Sequence, residues 1–475
     1  MRQEIGTLHK SLSELSEPLS KALVRRDLDH LHKRLELIKN PSGSSSLPEA
    51  DMLRNFSARV SIIIINRNGF QKLKTLMNSF SGHVFYDNFE IIFIDNASTD
   101  DSVAYMQTWQ EKYRIKIIRN TENMSFSAAN NLGVRESSGE YVLFLNNDTE
   151  VTDGWLDELI IAILTAENPG SVGAKLVYPH IPEGTVNFGK SYRIQHTGIA
   201  FRPVIWNGGF LLEPYNTGNG DLDDDLNEDP AERAGVTAAV LLMKRSVFEE
   251  IGGFDEAYFY GYEDVDLGLR LLRAGYKNYY CPTCLLYHYE FGTQQKDSGQ
   301  ERSRRGRQNL TLFKEKWQDF LCREILTEKL RGRSMRSERP LTIALAAPVS
   351  GTPVSEQKSI LFRRFWSCFE QLGYETKIIH TEETTDPYDI GLDADVLCCC
   401  EESFDLMKIR NARPNLIKIA CTGDVPARPD GYHYIFTADE MSGAEVGLPA
   451  AVISFPADLS AEETGDLFVK SLLPK

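Results

Sequence analysis

The residue best placed by its type and surroundings to do chemistry is Asp148. It closes the stretch Gly139-Glu140-Tyr141-Val142-Leu143-Phe144-Leu145-Asn146-Asn147-Asp148, in which an apolar run stops abruptly at two amides and a carboxylate. The run is short enough for a fully buried strand, so the polar group sits at a strand's carboxyl end. In an open α/β sheet that is the end where ligands bind. A carboxylate there can hold a divalent cation that neutralises substrate phosphates. The same residues are also common turn formers, and from this stretch alone both readings stand.

Other groups are weaker. Cys281-Pro282-Thr283-Cys284 has redox or zinc-type spacing, but no second cysteine pair or histidine pair accompanies it, which favours packing. The acidic run from Asp221 to Asp229 resembles a calcium loop only loosely, lacking the central glycine, and reads as a solvated surface loop. Glu263, Asp264 and Asp266 precede an apolar helical pattern, where acidic residues suit the positive first turn; Asp266 reads as a pure cap and Gly275 as the helix end. Arg302, Arg304, Arg305 and Arg307, followed by Asn309, Phe313, Lys316 and Trp317, form a basic cluster that reads either as a solvated helix face or as a group able to close over a diphosphate or meet a phosphorylated lipid.

These residues need a scaffold to position them. Val60 to Ile65 is a β-branched run of strand length that ends in Asn66-Arg67-Asn68-Gly69, and a helix through Leu73, Leu76 and Phe80 follows. Phe89 to Ile94 is a second strand closing on Asp95-Asn96-Ala97-Ser98-Thr99-Asp100-Asp101. Ile115 to Arg119 reads as a third, Ser127 to Glu136 as a helix, and Tyr141 to Leu145 as a fourth strand. Strands alternating with helices indicate an α/β fold with a parallel, doubly wound sheet that delivers polar residues to one edge. Ala238 to Lys244 reads as a further strand, begun by two small residues.

The chain is long enough for more than one domain, at 475 residues. Residues 1–40 carry leucines at three- and four-residue steps, an amphipathic helical segment interrupted near Pro18. Its stripe needs a partner: the protein's own main domain, a second copy in a homo-oligomeric coiled coil, or a membrane surface, and acidic residues among the basic ones favour packing on protein. Residues 41–58 read as a linker, 59–330 as the main α/β domain, 331–340 as a basic linker, and 341–475 as a second Rossmann-like α/β domain.

A formal net charge of −16 argues against general nucleic-acid binding. No apolar run approaches the roughly 20 residues of a membrane span, and the amino terminus lacks a signal-peptide pattern, so a cytoplasmic protein is expected. The eight cysteines, three of them consecutive at Cys398 to Cys400, form no spaced disulfide framework and read as reduced core thiols.

In order and spacing, Val60 to Gly69, the Asp95 to Asp100 turn, Asn130-Asn131-Leu132-Gly133, Leu145 to Asp148, Gly252-Gly253-Phe254-Asp255-Glu256 and Tyr262-Glu263-Asp264-Val265-Asp266-Leu267 resemble family 2 glycosyltransferases with the GT-A fold. The resemblance runs from about Val60 to Trp317. It implies that Asn66, Asn68, Asp95, Asn130 and Asn147 hold the donor nucleotide, and that Asp148 and His288 hold Mg2+ or Mn2+. Asn146 stands where the fuller Asp-x-Asp motif has a charge, which weakens the metal's hold; His288 reads equally well as a satisfied structural histidine. The resemblance makes Asp264 the base that takes the acceptor hydroxyl's proton, with Glu263 positioning the acceptor and raising the pair's proton affinity. Tyr260, Tyr262 and Phe254 are expected to meet acceptor sugar rings, with packing as their alternative role. Asp101 is expected to cap the helix after the Asp95 turn.

The resemblance thus implies inverting transfer from a UDP- or dTDP-sugar to a glycan or lipid-linked glycan, in polysaccharide or cell-surface glycan synthesis; the expected place is the cytoplasm, with peripheral contact at the inner face of the plasma membrane as an open option. Two rivals remain. A sugar nucleotidyltransferase needs a Gly-rich, Lys/Arg-containing loop after its first strand, for which Asn66-Arg67-Asn68-Gly69 is a poor substitute. A non-catalytic glycan-binding scaffold with a degenerate donor site is the other. The last domain resembles the first βαβ unit of a GT-B glycosyltransferase without its nucleotide-binding half or a Gly-x-Gly-x-x-Gly loop, which suggests binding or assembly.

Overall fold

The computed structural model describes residues 48–83, 86–181, 188–206, 209–221, 223, 230–289, 299–326, 330, 341–347, 356–380, 388–391, 393–400, 404–412, 416–423, 426, 431–437, 451–454 and 459–472. The amphipathic segment 1–40 and the linker 331–340 lie outside these. The chain divides into two compact units, residues 1–199 with 216–310, and residues 200–215 with 311–475.

The first unit opens with a helix where the sequence suggested linker. Pro48–Asn55 (α1) starts at proline, whose fixed φ suits a first helical turn. Leu53 and Phe56 join the core, Phe56 lying 5.3 Å from the rings of both Tyr86 and Tyr141. Three βα repeats follow: β1 (Val60–Asn66), α2 (Phe70–His83), β2 (Phe89–Asp95), α3 (Ser102–Thr108), β3 (Ile115–Arg119) and α4 (Phe126–Arg135). Next come β4 (Tyr141–Leu145), the short β5 (Thr149–Val151), α5 (Trp155–Thr165), β6 (Pro169–Val177), β7 (Ile194–His196) and, after the strands β8 (Ile199–Trp206) and β9 (Gly209–Asn216) that belong mostly to the second unit, β10 (Ala231–Arg233). The unit continues with β11 (Val240–Lys244), α6 (Arg245–Glu250), α7 (Glu263–Arg273) and β12 (Lys277–His288). Strands β1, β2, β4 and β11 are apolar and buried on both faces, as expected when helices cover both sides of a sheet.

Spatial order is β10-β12-β6-β11-β4-β1-β2-β3, with β5 on β12 and β7 on β6. Strands β3, β2, β1 and β4 are parallel as expected, and Asn66 pairs with Asp95 in the register of β1 and β2. The sheet as a whole is mixed, because β11 runs antiparallel to β4 and pairs Val240 with Leu145. It therefore begins at the edge where β4 ends, and Thr237, Ala238 and Ala239 lie at that edge instead of inside the strand. Strand β12 is irregular between Cys281 and Leu285, where Pro282 cannot donate to a ladder. Cys281 and Cys284 are buried and meet the carbonyls of Glu158 and Trp155 on α5, so this pair packs a strand on a helix.

The ribbon β8–β9 falls largely in the second unit, and the helix Gly299–Phe320 (α8) carries the chain into it. Beyond are β13 (Thr342–Ala347), α9 (Glu356–Gln371), β14 (Glu375–His380), β15 (Val396–Cys399), β16 (Ile417–Gly423), β17 (Tyr434–Thr437), β18 (Ala451–Ser454) and α10 (Ala461–Leu472). These strands form one parallel sheet in the order β14-β13-β15-β16-β17-β18. Phe365, Phe369, Phe436 and Phe468 pack between helices and sheet. Cys368, Cys398, Cys399, Cys400 and Cys421 are free and buried, as core thiols should be.

Candidate active site

The carboxyl ends of β1, β2 and β4 gather the first group of predicted residues. Ser98 Oγ accepts from Asn66 Nδ2 at 3.2 Å and from the Asn68 backbone N–H at 2.9 Å, while the Ser98 N–H donates to Asp95 Oδ2 at 3.2 Å. Asn68 has φ +49°, a left-handed conformation that asparagine tolerates, and its Oδ1 accepts from the Thr99 N–H at 2.7 Å. Asp95 is buried and its Oδ1 has no hydrogen-bond partner. A buried carboxylate oxygen left unpaired is costly and suits a ligand hydroxyl or N–H. The helix cap falls one residue earlier than expected. Asp101 makes no side-chain cap bond, whereas Asp100 accepts from the Ser102 N–H and from the Phe70 N–H, both at 3.1 Å.

Asn147 Nδ2 donates to Asn66 Oδ1 at 2.7 Å, tying β4's end to β1's. Asp148 follows, buried, with Oδ1 3.2 Å from His288 Nε2 and Oδ2 3.3 Å from Lys72 Nζ. Burial pushes its carboxyl up, but the hydrogen bond and charge of His288, joined by Lys72, outweigh that and bring it down to about 2. The antiparallel pairing of His288 with Thr149 delivers the histidine across some 140 residues of sequence. His288 Nδ1 donates to Gln195 Oε1 at 2.6 Å, which orients the ring. Asn146 Nδ2 lies 3.5 Å from His288 Nε2.

The second group stands at the start of α7. Gly261 and Tyr262 have φ +90° and +71°, and the strained tyrosine turns the chain into the helix. Asp264 Oδ2 accepts from the Ala238 N–H at 3.3 Å and Oδ1 from the Val265 N–H at 2.8 Å. Glu263 is buried, and its Oε2 has no partner. Burial and the neighbouring Asp264 charge raise Glu263 to about 8, and burial raises Asp264 as well. The pair thus holds a proton near neutral pH. Close packing fixes α7: a Cβ on Gly268 would lie 2.9 Å from both Ala234 O and Gly235 Cα, and Asn278 Nδ2 donates to Ala234 O and Gly268 O, each at 3.0 Å.

The two groups are joined through one dipeptide. The Ala238 N–H reaches Asp264, and the Ala239 carbonyl accepts from the Asn146 N–H at 2.9 Å. Strand β7 braces both sides, with Gln195 on His288 and His196 Nε2 accepting from the Thr237 N–H at 3.1 Å. Burial lowers His196 to about 4, so it is neutral and can accept that bond.

Several expectations change. Phe254 is core, not acceptor surface: it is 1% exposed, 4.8 Å from the Phe144 ring and 5.4 Å from Phe248. Tyr260 is 40% exposed and stays available, its backbone carbonyl held by Asn309 Nδ2 at 2.7 Å. Tyr262 is half-buried at the helix start. Asn130 is buried and donates to Phe126 O of its own helix at 3.1 Å. Its neighbour Asn131 crosses to the Phe254 carbonyl and N–H, both at 2.9 Å. Asp266 does more than cap, since its Oδ2 accepts from Arg270 Nε at 2.7 Å with no exposure. Asp223 of the acidic run is not solvated: it forms a 2.8 Å ion pair with Lys175, both side chains buried. Arg305 lies over the Phe259 ring at 4.5 Å, beside the Tyr260 loop.

Sequence reading missed Lys72, Gln195, His196, Asn131 and Ser98. Ser98, in the Asp95 turn, and Asn131, in the Asn130-Asn131-Leu132-Gly133 motif, carried a signal; the others are polar residues on elements whose pairing only folding defines.

With this geometry in view, the relatives are informative. Residues 61–251 match the family model described as glycosyl transferase family 2, and residues 230–291 match one described as the N-terminal domain of galactosyltransferase. The chain carries a glycosyltransferase family 2 domain, and its α/β sheet agrees with the GT-A class that the sequence motifs resemble. It is 33% identical to an O-antigen biosynthesis protein of Myxococcus xanthus over 50% of this chain and 18% of that one. It is 27% identical to an N-acetylglucosaminyl-diphospho-decaprenol L-rhamnosyltransferase of Mycobacterium tuberculosis over 42% of this chain and 66% of the relative. The chain therefore spans less than two thirds of each relative's length. Among solved structures it is similar to GalNAc-T7 with UDP, GalNAc and Mn2+, with 17% identity, coverage of 49% and 44%, and a TM-score of 0.39. Among the described residues no helix is long and apolar enough to cross a membrane.

Proposed function

We propose that the protein transfers a sugar, with inversion, from a nucleoside diphosphate donor, a UDP- or dTDP-sugar, to a hydroxyl of a glycan or lipid-linked glycan in polysaccharide synthesis at the cytoplasmic face of a membrane. One observation carries this reading: Asp264 at the start of α7 and Asn146, two residues before Asp148 at the end of β4, are bonded to the two halves of one dipeptide, Ala238-Ala239. The relative named for O-antigen biosynthesis and the one named for a diphospho-decaprenol acceptor support the polysaccharide setting.

In this reading Asn66, Asn68 and Asp95 bind the base and ribose, with the unpaired Asp95 Oδ1 taking a donor hydroxyl or N–H. Asp148 and His288 suit a divalent cation. Their facing atoms are 3.2 Å apart, close to the ~3 Å between neighbouring ligands of an octahedral Mg2+ or Mn2+. Among the described residues no cluster of three or more His, Cys, Asp or Glu converges, so Asp148 and His288 are the residues of this site that would hold the ion. When bound, the ion supplies charge neutralisation of the departing diphosphate. Asp264 takes the acceptor hydroxyl's proton as that oxygen bonds to the anomeric carbon, and the bond from that carbon to the diphosphate oxygen breaks. Glu263 keeps the shared proton and orients the acceptor, while Tyr260 offers an aromatic face to a sugar ring.

Calorimetric titration of UDP, dTDP and GDP into wild type and Asp148→Ala, with and without Mn2+, tests the donor site. Metal-enhanced binding of one nucleotide that weakens in the variant supports it. Absence of binding to all of them favours the scaffold reading, which the uncharged Asn146 permits.

A further inference from the structure

Both oxygens of Asp148 are already engaged, Oδ1 with His288 and Oδ2 with Lys72 Nζ at 3.3 Å. Lys72 is the third residue of α2, which starts just after Gly69 at the end of β1. Its place on the first turn sends the ammonium to the edge that holds Asn66 and Asn147. The Lys72 side chain is 24% exposed against 8% for Asp148, so the cation is the more solvent-accessible member of the pair. The segment offers one carboxylate because Asn146 is neutral, and Lys72 already balances that charge. A divalent cation arriving alone meets the Lys72 charge beside Asp148, whereas a diphosphate meets a cation already in place. The flexible four-carbon stem lets the ammonium swing to a phosphate oxygen while the helix stays fixed.

We propose that Lys72 is a diphosphate-binding residue that lets this site hold a nucleoside diphosphate without a metal, its ammonium passing from Asp148 to a phosphate oxygen as the ligand enters. The inference rests on the donor-site reading above. Metal then strengthens nucleotide binding instead of gating it, and Lys72 lowers the affinity for metal alone.

The test is calorimetry on the full chain with UDP, dTDP and GDP, in chelator and in Mn2+, using wild type, Lys72→Met and Lys72→Arg. Methionine keeps the apolar stem, and thermal unfolding reports whether each variant is folded. Wild type is expected to bind at least one nucleotide in chelator, Lys72→Arg to retain most of that binding, and Lys72→Met to bind roughly ten- to hundredfold more weakly, the loss of one charge-assisted hydrogen bond. Mn2+ alone should bind Lys72→Met more tightly than wild type. Equal nucleotide affinity of wild type and Lys72→Met in chelator, or a wild type that binds only with Mn2+, overturns the inference and leaves the donor site standing. No nucleotide bound by any of the proteins, with or without Mn2+, overturns the donor site and this inference with it.

Discussion

Asn147 Nδ2 donates to Asn66 Oδ1 across 2.7 Å, joining the ends of two adjacent parallel strands directly above Gly69. A Cβ on Gly69 would lie 2.4 Å from that Oδ1 and 2.6 Å from that Nδ2. Gly69→Ala is therefore expected to break the bond and displace both amides, costing about 1–3 kcal/mol of stability. Thermal unfolding and nucleotide titration should both register the change, and an unaltered nucleotide affinity would show that the amide pair does not shape the donor site.

The Glu263–Asp264 pair has a pH signature in stability. Glu263 rises from 4.5 to about 8 on folding, so between these values the folded state holds a proton that the unfolded state has released. Stability then falls as pH rises across that window, by up to about 1.4 kcal/mol per pH unit for one proton. Glu263→Gln should flatten this dependence and stabilise the protein more at pH 8 than at pH 5. Denaturant midpoints measured across pH decide the matter.

Asp264→Asn should abolish sugar transfer while leaving nucleotide affinity near wild type, because the residue is bonded to Ala238 and Val265 and not to the donor-side amides. Loss of a general base typically lowers the rate by about 10²–10⁴-fold. Full activity in this variant would refute the base role.

Phe254→Ala should act through the fold. The ring is buried against Phe144 and Phe248, and its removal is expected to cost about 3–5 kcal/mol. A stable variant with only a weakened acceptor KM would instead return Phe254 to the acceptor surface.

Asn131→Leu removes bonds to the Phe254 carbonyl and N–H and to Glu256 Oε1, and releases the Gly252–Gly253 turn before the Tyr260 loop. The expected result is about 1–3 kcal/mol lower stability, with acceptor KM raised more than donor KM. Steady-state kinetics with each substrate varied separately reads out that asymmetry.

Local order was legible in the chain. Apolar runs ending in Asn66, Asp95 and Asp148 identified the strands and their polar edge, since period and termination are local properties. Within 341–475, Thr342–Ala347 and Glu375–His380 are neighbouring parallel strands with the helix Glu356–Gln371 between them in sequence, a βαβ arrangement. What escaped was the direction of β11, the role of Phe254 and the contact of Lys72 with Asp148. Phe254 shows why: an aromatic after two glycines reads the same facing a sugar or facing Phe144, and only the path of the α6–α7 connection decides which.

The sequence by itself determined the α/β class, the strands that end in carboxylates and amides, and the chemistry those groups can perform. Tertiary structure alone decided that Lys72 reaches Asp148, that Gln195 orients His288, and that Asp264 connects to Asn146 through Ala238 and Ala239. The physical reason is that these contacts depend on strand register and helix docking. Both are set by burying apolar faces across the whole unit, so no local spacing of the polar residues encodes which of them will meet.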